Sequence, residues 1–68
     1  MDIDQLRTFL VVVREKNFTS AANDLYISQS TVSKRIKILE KELGCDLFIR
    51  TDKYFKLSPD GERFLPYV

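Results

Sequence analysis

Leu6, Phe9, Leu10 and Val13 recur at the i, i+3, i+4, i+7 spacing of one helical face. Asp2, with Gln5 three residues on, supplies a capping box ahead of them, so the pattern predicts a first helix running to about Lys16. Val11 and Val12 fall off that stripe, which calls for a second packing neighbour or for apolar surface that later aromatic residues cover. Asn17 interrupts the pattern. Thr19 then offers a cap for a short second helix, in which Ala21 and Ala22 let a neighbour approach closely and Leu25 anchors the buried face. After Tyr26 and Ile27, Ser28 is another cap residue, and a helical stretch follows as far as Gly44, a residue suited to the left-handed position past a helix end. Within it, Val32, Ile36, Leu39 and Leu43 form a core stripe at ~100° per residue, while Ser30, Lys34, Lys37 and Lys41 point the other way.

From Asp46 the period changes. Leu47 to Thr51 and Tyr54 to Leu57 are short runs rich in aromatic and β-branched residues, split by Asp52 and Lys53, and predict a small hairpin. Ser58, Pro59 and Asp60 then supply a cap, a proline for the first helical turn and an acid beside the helix N-terminus, so a fourth helix is expected from there to Val68. The predicted fold is mainly α: a winged helix-turn-helix of three helices and a two-stranded hairpin wing over residues 1–57. Residues 58–68 are expected to be the start of a truncated helix, which makes the chain a fragment.

Composition narrows the function. The chain has 68 residues, 44% of them hydrophobic, enough for one small core and too few for a large enzyme pocket. With no His and one Cys, Cys45, there is no set for zinc or for Ser/His/Asp or Cys/His catalysis, and an internal disulfide is excluded. Cys45 follows a helix-ending glycine in an apolar segment and reads as buried filler, since a redox sensor needs a resolving partner. No signal-peptide pattern and no run near the ~20 apolar residues needed to span a bilayer is present, so a cytoplasmic protein without a cofactor in this part is expected. The net charge is only +1, but residues 28–56 carry seven Lys or Arg against four acids, and the remainder is slightly acidic.

Two helices joined by a tight turn, the second opening with small polar residues and carrying cations outward, meet the needs of major-groove reading in double-stranded DNA. Gln29, Ser30, Ser33 and Lys34 are the candidates for base edges: Gln can pair with adenine, Lys with guanine O6 or N7, and Ser with either a base or a phosphate. Ser28, Thr31, Lys37, Arg50 and Lys53 are the candidates for the backbone or the minor groove. Ser28 also caps its helix, and Arg35 can pair with Glu42 as readily as with phosphate. Taken alone, the lysines read first as a solvated helix face; their combination with the turn and the hairpin favours DNA, and the rival is a winged-helix module whose same face meets an acidic protein surface. Phe18, Phe48, Phe55 and Phe64 read as core, since the hairpin is too short for a base-stacking platform.

The same residues resemble the LysR-type transcriptional regulators over essentially the whole chain. The likeness is carried by Leu6-Arg7-Thr8-Phe9, Phe18-Thr19-Ser20-Ala21-Ala22 with Leu25, Ser28-Gln29 with Val32-Ser33 and Ile36, Leu39-Glu40, Leu43-Gly44, Leu47-Phe48 with Arg50, and Leu57-Ser58 with Gly61. It implies a repressor or activator that binds an interrupted inverted repeat as a homo-oligomer, its linker helices pairing to make DNA-binding homodimers, with residues 58–68 as the start of a truncated linker or dimerisation helix; this fragment is expected to be a monomer or a weak dimer. A small-molecule effector belongs to a C-terminal domain that normally follows. Gln29, Ser33 and Lys34 then stand where family members touch bases, and Lys53 stands at the wing tip. Ser30 replaces a frequent Pro, Lys34 a frequent Arg and Asp52 a frequent small residue, which bears on the preferred operator and not on the fold.

Overall fold

The computed structural model describes residues 1–50 and 55–68, the side chains of Arg50 and Phe55 excepted. Helix α1 (Ile3–Glu15) starts on the expected capping box: Asp2 accepts from the Gln5 N–H at 2.8 Å while Gln5 Oε1 accepts from the Asp2 N–H at 3.3 Å. It ends where Lys16 turns left-handed, φ 60°. Its buried face differs from the predicted stripe. Leu10 is 41% exposed, whereas Phe9 and Val12 are fully buried and Val11 nearly so. The cause is that α1 packs against both α2 (Phe18–Leu25) and α3 (Gln29–Leu43), so its covered arc is wider than one stripe and rotated toward Thr8 and Val12.

Helix α2 begins two residues earlier than the sequence suggested. Its cap is Asn17, not Thr19: the Asn17 carboxamide oxygen accepts from the Ser20 N–H at 2.6 Å. A short-range side-chain acceptor at this point satisfies an N–H that the helix itself leaves unpaired. Asn17→Ala is expected to lower stability by about 1 kcal/mol, read as a shift of the urea midpoint with an unchanged slope. Ala21 and Ala22 are buried, and their small side chains let α2 lie close against α1 and α3.

Helix α3 follows after Tyr26, Ile27 and Ser28. Its inward stripe is as predicted, with Val32, Ile36 and Leu39 fully buried and Leu43 half-buried. Gly44 closes it at φ 74°. Strands β1 (Phe48–Arg50) and β2 (Phe55–Leu57) pair antiparallel, with Phe48 opposite Leu57 and Ile49 opposite Lys56; the expected strand ends Thr51 and Tyr54 lie outside the described residues. Two side chains lock this wing to the helices. Glu40 Oε2 accepts from the Leu47 N–H at 2.7 Å. Ser58 donates its N–H to the Leu47 carbonyl at 2.9 Å and its hydroxyl to the Asp46 carbonyl at 2.5 Å.

Ser58 also caps α4 (Pro59–Phe64), accepting from the Gly61 N–H at 2.9 Å. The predicted helix to Val68 is shorter in the structure: a 3-10 turn over Leu65–Tyr67 takes over. Pro66 accounts for this, because it has no N–H to donate to the preceding turn and its ring crowds that turn. Phe9 joins the layers, its ring centroid 5.5 Å from that of Phe48 and 5.4 Å from that of Phe64; Phe18 meets Phe48 edge-on at 6.2 Å. Phe18, Phe48 and Phe64 therefore pack into the core, as read from the sequence, and the Phe55 side chain lies outside the described residues.

Candidate nucleic-acid interface

The turn between α2 and α3 has three residues, 26–28, and is set by backbone geometry. Tyr26 adopts the left-handed conformation, φ 58°, and the Ile27 N–H returns to the Ala22 carbonyl at 3.1 Å. The chain thereby reverses quickly enough to place the start of α3 beside the start of α2. Ser28 caps α3, its hydroxyl accepting from the Thr31 N–H at 3.1 Å. The same hydroxyl lies 3.1 Å from the Ser30 hydroxyl and 2.8 Å from that of Thr31. The opening turn of α3 is thus a cluster of three hydroxyls over an N-terminus whose unpaired N–H groups favour an anion.

Along the outer face, Gln29, Ser30, Lys34, Lys37 and Lys41 are exposed, whereas Thr31 and Ser33 are half-buried. Ser30, Ser33, Lys34, Lys37 and Lys41 border one shallow depression, and its floor includes Ile38, 40% exposed. Ile38 was not singled out from the sequence, although the signal was there: it stands about 120° around α3 from Val32 and so among the lysines. Cations around a small apolar floor suit a surface of phosphates flanking base edges and methyl groups.

The structure brings together Ser28, Gln29, Ser30, Thr31, Ser33, Lys34 and Lys37 on and around the first half of α3. The candidates Lys53 and the Arg50 side chain lie outside the described residues. Arg35 does not pair with Glu42. Its guanidinium donates to Thr8 Oγ1 at 3.4 Å, and Glu42 meets the terminal amine of Met1. Arg35 therefore braces α3 against α1, because it projects toward the α1 side and not outward. Burial pushes the Cys45 thiol above its usual range, and the carboxylates of Asp60, Asp46 and Glu40 push it the same way. The reactive thiolate is disfavoured, which fits a filler role.

The family model of the bacterial regulatory helix-turn-helix proteins, lysR family, matches residues 3–62. The chain belongs to the LysR family. It is 51% identical over all 68 residues to the HTH-type transcriptional regulator HdfR of Yersinia enterocolitica, and 49% identical to HdfR of Yersinia pestis, spanning 23% of the length of each. Its fold matches that of a LysR-family transcriptional regulator from Eggerthella lenta with a TM-score of 0.93 and 36% identity, covering 98% of this chain and 96% of that one. It also matches the BenM DBD in complex with catB site 1 DNA, with a TM-score of 0.92 and 42% identity over 98% of this chain and 74% of that one. A LysR-family helix-turn-helix is a regulatory element and not an enzyme. Among the described residues, no helix is long and apolar enough to cross a membrane, and no group of three or more His, Cys, Asp or Glu is placed to hold a metal.

Proposed function

We propose that this chain reads duplex DNA by sequence for a transcription regulator, with α3 in the major groove. The observation that carries the reading is the outer face of α3: exposed Gln29, Ser30, Lys34 and Lys37 stand at the free end of a helix whose opposite stripe is fully committed to the core. Gln29, Ser30, Ser33 and Lys34 address base edges. Ser28, Thr31 and Lys37 address the backbone, and Arg50 and Lys53 take the backbone or minor groove beside it. The DNA complex of the BenM DBD, similar in sequence and fold, supports DNA as the partner of this fold. The regulator works in the cytoplasm as a homodimer paired through the segment that starts at Ser58. No cofactor belongs to this part of it, and its small-molecule effector binds in a separate C-terminal domain.

Amide chemical-shift mapping of the labelled chain, titrated with mixed-sequence duplex DNA at low salt, tests the reading. The expected result is a set of shifts concentrated in residues 28–37 and 50–56 that reverses on adding salt, with log affinity falling by about 0.9 per neutralised phosphate for each tenfold rise in salt. An unchanged spectrum at concentrations well above ~10⁻⁴ M, the weak end of nonspecific DNA binding, would overturn it. The cationic face would then belong to an acidic protein partner.

A further inference from the structure

Thr19 lies in the first turn of α2 and Gln29 is the first residue of α3. Both are exposed, and the Thr19 hydroxyl donates to Gln29 Oε1 at 3.2 Å. Nothing in DNA-free folding requires this bond, since the cap of α2 is supplied by Asn17 and that of α3 by Ser28. The Ser28 hydroxyl is itself engaged with Ser30 and Thr31, so it does not compete for the Gln29 amide. A glutamine amide has one accepting and one donating end, and which of them faces a base decides what it can match.

We propose that Thr19 is a positioning residue that fixes the orientation of the Gln29 amide and so sets the base edge it selects. With Oε1 turned to Thr19, both hydrogens of Nε2 remain for the DNA. The matching edge must carry an acceptor: N7 or O6 of guanine, N7 of adenine or O4 of thymine. Cytosine offers only its N4 amino donor in the major groove and is the base rejected. The tether also removes rotamer freedom from Gln29 before binding, which sharpens discrimination. The proposal rests on the reading of Gln29 as a base contact.

The test starts by enriching bound duplexes from a randomised pool with the unaltered chain, then measures affinity for all four bases at each position of the selected site. Thr19→Val, Thr19→Ser and Gln29→Ala are compared on that panel, with thermal unfolding of each variant recorded and Thr19→Ala used if valine disturbs packing. The unaltered chain is expected to reject cytosine by about tenfold at one position. Gln29→Ala and Thr19→Val should both erase that rejection there and leave other positions unchanged, while Thr19→Ser retains it. If Gln29→Ala flattens a position that Thr19→Val leaves intact, or Thr19→Val weakens all sequences equally, or cytosine is preferred at the Gln29 position, the role of Thr19 is overturned while base reading by Gln29 stands. If Gln29→Ala flattens no position, or the pool yields no preferred sequence, the base contact has failed and the role of Thr19 with it.

Discussion

Phe9→Ala is expected to leave the chain largely unfolded at 25 °C. The Phe9 ring is fully buried and packs against Phe48 of β1 and Phe64 of α4, so it is the side chain through which the helices, the wing and α4 share one core. Truncating a buried Phe removes about 3–5 kcal/mol, the transfer term plus that of the cavity left behind. A core of this size rarely supplies more than about 3–5 kcal/mol in total, so little stability remains. Urea denaturation followed by circular dichroism reads the effect. A variant that still unfolds cooperatively within about 1 kcal/mol of the unaltered chain would show that α1, β1 and α4 do not depend on this one ring.

Gly61→Ala should destabilise by about 1–3 kcal/mol, as overpacking does, even though Gly61 sits in a helix, where alanine is intrinsically favoured by about 1 kcal/mol. A Cβ at this position would lie 2.2 Å from the Leu47 carbonyl oxygen and 2.8 Å from Leu57 Cδ2. The oxygen cannot simply move aside, because it accepts from the Ser58 N–H at 2.9 Å. Helix α4 must therefore back away from the base of the wing, loosening the contact of Phe64 with Phe9. The two effects have opposite signs, so the direction of the shift in the urea midpoint decides between them. A raised midpoint would mean that α4 has room to spare at its start.

How much of this was legible in the chain varies by element. The Asp2 capping box, the Val32, Ile36 and Leu39 stripe and the Ser58-Pro59 start are local patterns, and local patterns are what periodicity and capping rules detect. The α1 face was read one step off because Leu10 and Val12 are chemically alike; only the presence of neighbours on two sides, a non-local fact, decides which is covered. Asn17 lost to Thr19 as a cap because both are competent and two residues apart. The early end of α4 is written in Pro66, whose missing N–H stops the helix that Ser58 and Pro59 start. At the interface, the exposed cations of α3 follow directly from the stripe, since what is not core must face out. The pairing of Thr19 with Gln29 joins residues on different helices, so no spacing rule could display it. The role of Glu40 in holding the Leu47 N–H was equally hidden, because an acid on a helix surface looks like solvent-facing charge until the loop folds back over it.

Helix α3 keeps its two duties on opposite sides. Val32, Ile36 and Leu39 hold the frame, and Gln29, Ser30, Lys34 and Lys37 meet the outside. Substitutions on the outer side leave the buried stripe untouched, so a lineage could exchange one target sequence for another by a few steps without passing through an unfolded intermediate. Where Thr19 grips Gln29, the two residues must drift as a pair, and their joint identity gives that part of the reading surface a memory of its neighbour.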